Sequence, residues 1–508
     1  MKLHKMFDRR GRRGLSGFLA KILLISLVMG MFQIPVSAAG TECSTSGPVS
    51  AVYSVTVCIT APADAAIVSG VQNVTTTVTV TGTNPGVAKL IFYLDGAYLL
   101  TDFQAPFSFK LPTTKWVDAI RTLEVEARMR DTFISTRASI SLDFVNGIIV
   151  PPVNTNTFTP ATGTTPPAGQ PFVLAATGDG ASGVQNSDAV ADLIEGWDPN
   201  MMLYLGGVYD QGTPTEFYNW YGAGGEYYSR FNAITNPTVG SQEYADGAAL
   251  GYFDYWDNVP NYYSFDAAGW HIISLDSSSQ FDETDPGTDQ YDWLVDDLND
   301  SDAVCTMAYF HHPVFNVGQT GETTRLDSIW ALLAQRGVDI VLTSRDNSYQ
   351  RWHPMNGVGV QDSSGVTQFV IGTGGHNMQA FIRTDSNLAA GFDTSAAFGG
   401  LRLELNSAGA AFQFINLQGN VLDSGSVPCS GVPADTTPPS TPTNLTAPSS
   451  SSNKVNLTWK NSTDNVGVTG YEIYRDGLLL TTITPPATSY LDDTVAPGVF
   501  YSYRIRAR

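Results

Sequence analysis

The sequence has few charged residues and few of the side chains that build metal or catalytic sites. Of its 508 residues only 15% are Asp, Glu, Lys or Arg, and it has six histidines and four cysteines. Positively charged residues are fewer than negatively charged ones, with 27 Lys and Arg against 48 Asp and Glu. Because an acidic protein repels nucleic acid and anionic lipid, this balance excludes nucleic-acid binding and polybasic attachment to membranes.

Long hydrophobic runs are also missing after residue 40, where none reaches the roughly 18 residues of a membrane span. The first 39 residues combine a basic region, the apolar stretch ILLISLVMGMF and the small residues VSAAG. This pattern predicts a signal peptide at 1–39, of Sec rather than twin-arginine type, cleaved near Ala38 or Ala39. Its removal leaves 20 Lys and Arg against 47 Asp and Glu. We therefore expect a secreted, extracellular or cell-surface protein.

The four cysteines fit an exported protein, because disulfides persist in oxidising compartments. Cys43 and Cys58 lie close together near the start of the mature chain, whereas Cys305 and Cys429 lie far apart in its second half. Four cysteines allow three pairings, and the pairing of Cys43 with Cys58 and of Cys305 with Cys429 is one of them. Four buried free thiols are the alternative.

Two Pro- and Thr-rich stretches divide the mature chain into three predicted domains. The segment IVPPVNTNTFTPATGTTPPAGQP, 149–171, has no periodicity and predicts an extended linker. A second, shorter linker is predicted at 431–437, where the composition again turns to Pro and Thr. The domains between them are 41–148, 172–430 and 438–508, in agreement with a usual domain size of roughly 100 to 200 residues.

Both outer domains show the alternating patterns of β-sandwiches. In 41–148 the stretch VAKLIFYLDGAYLLTD predicts a hairpin around an Asp-Gly turn and resembles bacterial immunoglobulin-like (Ig-like) domains. The segment 438–508 resembles a fibronectin type III domain, with Trp459 in VNLTW and Tyr501 at the position of the tyrosine corner. This last domain ends at Arg508, where a final strand would normally follow, so we expect either a truncated sequence or a domain that lacks an edge strand. The Ig-like domain is expected to be a spacer or an adhesion module, and carbohydrate or cell-surface ligands are possible partners of both.

The middle domain, 172–430, alternates short apolar runs with amphipathic helical segments. The runs FVLAATGD, MMLYLGG, HIISLD, CTMAYFHHP, DIVLTS and FVIGTGG each end in polar or glycine-rich residues. NSDAVADLIEGW, QYDWLVDDLND and TRLDSIWALLAQRG have helical periodicity. The pattern predicts an α/β architecture with functional loops at the carboxyl ends of the strands.

The order of the motifs GD, LGG with a following Tyr, VGSQEY, YFHHP and TSRDNSYQR resembles the calcineurin-like metallophosphoesterases, close to their purple acid phosphatase branch. That family has GD, GD with a nearby Tyr, GNHE, HHP and GHDH in similar contexts. The resemblance implies an α/β sandwich and a phosphomonoester hydrolase with two metal ions of the Fe, Zn or Mn type. Such ions polarise a phosphoryl oxygen and supply a nucleophilic hydroxide.

Only two of the implied metal ligands keep the family's residue type. Asp179 stands at the first-metal aspartate and His311 at a second-metal histidine, with His312 beside it as a weaker catalytic candidate. Tyr209 follows one residue too early to match the family's tyrosine ligand. The changed positions are Gly207 for the bridging aspartate, Ser241 for the asparagine, Gln242 for the leaving-group histidine, and Arg345 and Asn347 for the two histidines of GHDH.

The changes predict an eroded metal site, because glycine has no donor atom and arginine is permanently cationic. We therefore expect a catalytically impaired protein retained for binding or structure, without an ordinary two-metal centre and with a metal-free state as one open outcome, in which Arg345 binds a phosphate or phosphoester anion. The alternative is an active phosphatase with a rearranged site that recruits Asp210, Glu243 or Asp346 around one metal. A third interpretation is that the sequence was altered at the motif positions while their context stayed intact.

Structural roles compete with functional ones at several of these residues. His312 can cap backbone groups at the end of a strand, and we favour that role over a catalytic one; for His311 the two are balanced. Aromatic residues are dense in EFYNWYGAGGEYY and GYFDYWDNVPNYY, 216–228 and 251–263. They suit a sugar or nucleotide platform, but packing of the loops around the cleft is the preferred interpretation.

Overall fold

The computed structural model describes residues 42–50, 52–430, 438–451, 453–464, 468, 470–483 and 487–508. The predicted signal peptide and the 431–437 linker lie outside these residues. Within them, no helix combines the length and the apolar character that crossing a membrane requires. Both predicted disulfides are confirmed, Cys43 with Cys58 and Cys305 with Cys429.

The Ig-like domain is a β-sandwich of a four-stranded sheet, β1-β2-β4-β7, and a five-stranded sheet, β3-β9-β8-β5-β6. The predicted hairpin is confirmed between β5 and β6, where Asp95 and Gly96 both have positive φ, as a two-residue hairpin turn requires. The strands are β1 Glu42–Ser46, β2 Tyr53–Ala61, β3 Ala66–Val68, β4 Val71–Gly82, β5 Val87–Leu94, β6 Ala97–Asp102, β7 Ser108–Pro112, β8 Ile120–Met129 and β9 Ala138–Phe144.

The segment 149–171 has neither helix nor strand, as expected of an extended linker, but it packs on the middle domain. The Asn154 amide donates to the Asp257 carboxylate at 3.1 Å, and the Ala161 N–H donates to the side chain of Asn236 at 2.8 Å. The Phe158 ring meets Tyr263 edge to face at 5.1 Å. The linker is therefore docked along much of its length.

The middle domain is the predicted α/β fold, built on a six-stranded sheet, β12-β11-β10-β20-β21-β22, and a seven-stranded sheet, β13-β14-β15-β16-β18-β17-β19. The strands are β10 Phe172–Thr177, β11 Met201–Tyr204, β12 Thr235–Pro237, β13 Tyr263–Ala267, β14 Trp270–Ser274, β15 Cys305–Tyr309, β16 Ile340–Thr343, β17 Tyr349–Trp352, β18 Thr367–Ile371, β19 Leu388–Phe392, β20 Gly399–Asn406, β21 Gly409–Asn416 and β22 Val421–Pro428. The helices are α1 Gln185–Glu195, α2 Pro214–Glu216, α3 Leu250–Tyr255, α4 Asp289–Asp300 and α5 Asp327–Gln335.

The core of the middle domain lies between its two sheets. Leu174 and Leu203 from one sheet and Met307 and Leu342 from the other are fully buried in one cluster. Strands β10, β11 and β12 run parallel in the first sheet, and β14, β15, β16 and β18 run parallel in the second. Since parallel strands end at the same edge, the loops that follow them converge there.

The two aromatic-rich segments pack into this fold, as the preferred interpretation predicted. Shorter helical turns lie at Phe217–Tyr221, Tyr227–Ile234 and Glu243–Asp246. Most of the large aromatic side chains in these segments are buried in one cluster with residues of the Ig-like domain. They include Phe217, Trp220, Tyr221, Tyr228, Tyr252 and Trp256.

The C-terminal domain is a small β-sandwich with the fibronectin type III arrangement. In one sheet β25 pairs with β23, β24 and β28, and in the other β26 lies between β27 and β29. β27 and β29 are the two outer strands of the second sheet. The strands are β23 Thr443–Thr446, β24 Ser449–Ser451, β25 Lys454–Lys460, β26 Tyr471–Arg475, β27 Leu478–Ile483, β28 Ser489–Asp492 and β29 Tyr503–Ala507.

Candidate functional site

Four loops of the middle domain meet at the edge where the parallel strands end. Asp179 follows β10, Gly207 follows β11, His311 follows β15 and Arg345 follows β16. The Gly207 backbone approaches Asp179, and His311 interacts electrostatically with both Asp179 and Arg345. The motif positions that the sequence analysis singled out therefore surround one cleft.

Asp179 is fully buried in this cleft and has an unusual backbone conformation, with φ of 54°. Its Oδ1 accepts a hydrogen bond of 2.7 Å from the Tyr209 hydroxyl, whereas its Oδ2 is buried without a partner. Positive φ at a residue other than glycine costs about 1–3 kcal/mol and is found most often at functional sites. Asp179 thus keeps the position and the free oxygen of a family ligand.

Gly207, which the sequence analysis aligned with the bridging aspartate, contributes only its backbone to the cleft. Its φ is 93°, and an ideal Cβ added there would lie 2.5 Å from Asp179 Oδ1 and 2.9 Å from Asp179 Cα. A side chain at this position would therefore collide with the neighbouring carboxylate. The structure leaves no room for a bridging ligand at residue 207 in this conformation.

Glu243 lies beneath the same loop and binds its backbone. Its Oε1 accepts hydrogen bonds of 2.9 Å from the N–H groups of Gly207 and Val208, and its Oε2 is buried without a partner. Burial raises the pKa of this carboxyl to about 7. Glu243 is therefore about half protonated near neutral pH, which reduces the negative charge beside Asp179.

His311 is fully buried and held in one tautomer by the backbone. Its Nδ1 lies 2.8 Å from the carbonyl oxygen of Leu205 and 3.0 Å from Ser344 Oγ. Because a carbonyl oxygen only accepts, Nδ1 carries the proton and Nε2 is left with a lone pair. Burial lowers the pKa of His311, so the ring is neutral.

His312 and Ser241 line the cleft beside His311. His312 Nδ1 lies 3.0 Å from Ser277 Oγ, which also accepts the His312 backbone N–H at 3.0 Å, and burial lowers the pKa of His312 well below its usual value. Ser241 Oγ lies 3.4 Å from His311 Nε2 and donates to Gln242 Oε1 at 3.0 Å. The pairing with Ser277 supports the structural role that we favoured for His312.

Arg345 also has a positive φ, 62°, and its side chain is half-buried among the cleft residues. Its positive charge contributes to lowering the pKa of both His311 and His312. Within the part of the chain that the structure describes, the guanidinium makes no hydrogen bond or ion pair. The cleft therefore contains a cation without a counter-ion at a place where the family has histidine ligands.

Asp346 and Asn347, the two residues that follow Arg345 in the motif, make different contacts. Asn347 is buried, and its Nδ2 has no hydrogen-bond partner among the described residues. Its side chain still lies near the Tyr209 hydroxyl and acts to lower the pKa of that tyrosine, against the larger effect of burial, which raises it. Asp346 instead accepts hydrogen bonds from the Ser348 hydroxyl at 2.7 Å and from the Thr320 hydroxyl at 3.2 Å. Asp346 therefore has a structural role and is not available as a ligand.

Tyr209 and His376 form a pair that the spacing of the motifs did not predict. Despite its early position in the loop, Tyr209 reaches Asp179, and the His376 ring stacks on it with 3.7 Å between centroids and 12° between planes. His376 Nδ1 is buried without a partner, and burial lowers the pKa of the ring to about 4. His376 lies outside the motifs that carry the family resemblance, just after the run FVIGTGG.

Asp210 faces away from the cleft centre and pairs with the Ig-like domain. Its Oδ2 lies 2.6 Å from Lys89 Nζ, with both side chains about one-third exposed. Asp210, which the rearranged-site alternative proposed as a metal ligand, therefore uses its carboxylate in an ion pair with Lys89. Of the three acids proposed for a rearranged site, only Glu243 has an oxygen free in the cleft.

The residues present do not fit the two-metal centre that the family resemblance implies. Gly207 provides no donor, Arg345 places a positive charge in the cleft, and Asn347 offers an amide in place of an imidazole. Among the described residues no group of three or more His, Cys, Asp or Glu side chains is arranged to hold a metal ion. Of the residues that the sequence analysis aligned with metal ligands, Asp179 and His311 are the two that keep the residue type expected there.

Comparisons with known proteins match parts of the chain. The Bacterial Ig domain family matches residues 56–125. Purple acid phosphatase 18 of Arabidopsis thaliana is 34% identical over 133 residues, 25% of this chain and 30% of that protein. An alpha-amylase of Niallia circulans is 45% identical over 78 residues, 15% of this chain and 6% of that protein. The chain thus spans less than a third of the length of these curated relatives.

Among solved structures, a purple acid phosphatase from yellow lupin seeds aligns with 76% of this chain and 73% of its own length, with 14% identity and a TM-score of 0.42. The sequence match to the Arabidopsis phosphatase and the described fold together confirm the resemblance that the motifs predicted. The chain is a multidomain protein whose middle domain resembles the calcineurin-like metallophosphoesterases of the purple acid phosphatase type, between a bacterial Ig-like domain and a fibronectin type III-like domain.

Proposed function

We propose that this chain is an exported protein of the metallophosphoesterase type whose cleft binds a phosphate or phosphoester anion without hydrolysing it. One observation carries the proposal: the Arg345 guanidinium lies in the cleft without a counter-ion in the described structure. A guanidinium binds phosphate oxygens in bidentate fashion and keeps its charge at every physiological pH. It therefore replaces, with a fixed cation, the positive charge that metal ions provide in the family.

The surroundings of Arg345 reduce the repulsion that an anion would meet. Asp179 Oδ1 is held by Tyr209, and Glu243 is about half protonated near neutral pH because burial raises its pKa to about 7. The lowered pKa values of His311 and His312 keep both rings neutral, so they serve as hydrogen-bonding groups and not as extra cations. Arg345 is thus the cation expected to bind the ligand.

Loss of hydrolysis follows from the same replacements. The family's reaction uses two metal ions to activate water and to stabilise the charge on the phosphoryl oxygens. Gly207 removes the bridging carboxylate, and Arg345 repels a cation from the site. Even the loss of an outer-shell partner lowers metal affinity or activity by about 10 to 100-fold, so the loss of several direct ligands is expected to remove ordinary turnover.

Export and surface binding belong to the same proposal. The N-terminal pattern and the disulfides Cys43–Cys58 and Cys305–Cys429 support folding in an oxidising compartment. Curated relatives with short matching segments include an alpha-amylase and chitinases, whose names point to polysaccharide substrates. We propose that the outer domains hold the protein near carbohydrate or cell-surface material.

Calorimetric titration with inorganic phosphate at low ionic strength tests anion binding. The Arg345→Met variant is expected to bind about 10 to 100-fold more weakly, because hydrogen bonds to charged groups contribute about 1.5–3 kcal/mol. Arg402→Met is the matched control, since Arg402 carries the same charge in the same domain but pairs with Glu404 at 2.6 Å. Absence of binding in the parent protein, or equal binding by both variants, would refute the proposal.

Hydrolysis around a single cation is the second candidate, and a specific observation favours it. Asp179 Oδ2 and Glu243 Oε2 are both buried without partners, and His311 Nε2 carries a lone pair in the same cleft. Unpartnered buried oxygens are costly unless a proton, a water or a cation binds them. Metal analysis after purification without added metal distinguishes the candidates: one tightly held ion that is lost in Asp179→Asn would favour this second function.

A further inference from the structure

The Ig-like domain contacts the loop that carries Gly207 and Tyr209 through one buried carboxylate. This carboxylate belongs to Glu216. Its Oε1 accepts hydrogen bonds from the Tyr98 hydroxyl and, at 3.2 Å, from the Thr101 N–H, both in the Ig-like domain. The same carboxylate also accepts three backbone N–H groups of its own loop. These donors are Asp210 at 2.7 Å, Gln211 at 3.0 Å and Thr213 at 3.1 Å.

Further polar contacts join the two domains on either side of Glu216. The Asn219 side chain accepts from the Lys110 N–H at 2.7 Å and donates to the Lys110 carbonyl at 2.9 Å, as a neighbouring strand would. Trp220 Nε1 donates to the Thr101 carbonyl at 3.1 Å, and Lys89 pairs with Asp210 at 2.6 Å. The interface therefore holds the turn Phe217–Tyr221 through backbone groups of strands β6 and β7, and the loop 207–213 through the Lys89–Asp210 ion pair.

A column of aromatic rings forms a second connection from the Ig-like domain to the cleft. Phe103, just after β6, meets the His376 ring edge to face at 4.9 Å. His376 stacks on Tyr209 at 3.7 Å, and the Tyr209 hydroxyl donates to Asp179 Oδ1 at 2.7 Å. Three contacts therefore separate the Ig-like domain from the most buried carboxylate of the cleft.

We infer that the Ig-like domain is a structural part of the cleft, and that Tyr98 and Phe103 are positioning residues for the loop 207–213 and for Tyr209. On this inference the domain does more than the spacer or adhesion role that the sequence suggested. Tyr98 acts through Glu216 on the backbone of the loop, and Phe103 acts through His376 on Tyr209. The effect on anion affinity rests on the proposed function, whereas the effect on the loop does not.

The sandwich offers matched control residues that make the same kinds of contact away from the cleft. Tyr93 lies beside Tyr98, with ring centroids 6.4 Å apart, but its hydroxyl donates to Glu126 within the Ig-like domain. Phe133 meets Tyr53 edge to face at 5.9 Å, also within that domain. A Tyr93→Phe, Phe133→Leu variant therefore loses one tyrosine–glutamate hydrogen bond and one aromatic edge contact. Tyr98→Phe, Phe103→Leu loses the same two kinds of contact, together with the Tyr98 hydroxyl contact to Thr101 and the Lys89 contact over the Phe103 ring.

Amide hydrogen exchange of the full-length protein, followed by mass spectrometry without added anion, tests the inference. In the Tyr98→Phe, Phe103→Leu variant the amides of Asp210, Gln211 and Thr213 are expected to exchange about tenfold faster, a factor equivalent to about 1.4 kcal/mol. The control variant is expected to leave their exchange unchanged. Tyr98→Phe alone, which removes a single oxygen, is measured as well, so that a folding defect of the double variant does not decide the result.

Equal exchange in the loop of the two double variants, together with no change in Tyr98→Phe alone, would overturn the inference. Phosphate titration of the same proteins is the second readout, with about tenfold weaker binding expected for Tyr98→Phe, Phe103→Leu and parent-like binding for the control. If the parent protein binds no phosphate, the proposed function fails while the exchange data still decide the role of the Ig-like domain.

Discussion

Replacing Gly207 with alanine tests most sharply how the cleft differs from a two-metal site. The backbone of Gly207 has φ of 93°, and the added Cβ would lie 2.5 Å from Asp179 Oδ1 and 2.9 Å from Asp179 Cα. The oxygen cannot simply swing away, because it is buried and accepts the Tyr209 hydroxyl. We therefore expect Gly207→Ala to strain the loop and displace Asp179.

The expected loss has two parts with different physical origins. Positive φ costs a residue other than glycine about 1–3 kcal/mol wherever it occurs. Forcing a methyl group into a filled space adds a further cost of about 1–3 kcal/mol. Gly419 provides the control, because its φ is 77° and nothing lies within 4 Å of an added Cβ. Gly419→Ala therefore loses only the first part.

Differential scanning calorimetry of the two variants separates these parts in the middle domain. At about 2–4 °C per kcal/mol for a domain of this size, 2 kcal/mol of extra strain lowers the Tm of Gly207→Ala by roughly 4–8 °C more than that of Gly419→Ala. Equal Tm values would refute the packing of residue 207 against Asp179. They would also show that a side chain at position 207 has room in the cleft.

Three further predictions concern the disulfide, a buried acid and repair of the site. Removing the Cys305–Cys429 disulfide by a double alanine substitution is expected to cost about 2–5 kcal/mol, measured by thermal unfolding; an unchanged Tm contradicts this. Burial raises the pKa of Glu243 from 4.5 to about 7. Between these two pH values the carboxyl therefore keeps its proton in the folded protein and releases it in the unfolded chain. Stability should therefore fall by about 3 kcal/mol from pH 4.5 to 7, and urea unfolding of Glu243→Gln should show a correspondingly smaller fall. Gly207→Asp alone is expected to bind no Zn²⁺ while Arg345 remains, and stoichiometric Zn²⁺ in that variant would contradict the account.

Much of the fold was predictable because its signals are local. Alternating apolar residues identified the sandwich strands, and the Asp-Gly pair at Asp95 located a hairpin whose turn requires positive φ. The order of the motifs placed Asp179, His311 and Arg345 at strand ends that meet at one edge. Parallel strand order then brings these residues together without any further information.

The details of the cleft depended on contacts that have no local signal. Tyr209 looked misplaced by one residue, but the loop that carries it is fixed by Glu216 and the Ig-like domain, so it still reaches Asp179. His376 is distant in the sequence and enters the cleft by stacking on Tyr209. Asp346 has the chemistry of a ligand, but the hydroxyl groups of its own surroundings bind it. Spacing alone cannot distinguish these outcomes, because tertiary packing determines where each side chain points.

Metal content measured together with hydrolysis of an aryl phosphate, on protein purified without added metal and again after incubation with Zn²⁺, Mn²⁺ and Fe²⁺, tests the central claim most directly. The account predicts well below one tightly bound ion per chain and no turnover above the buffer rate under either condition. Two bound metal ions per chain with turnover of the ester would contradict it, because Gly207 and Arg345 would then be compatible with a working two-metal centre.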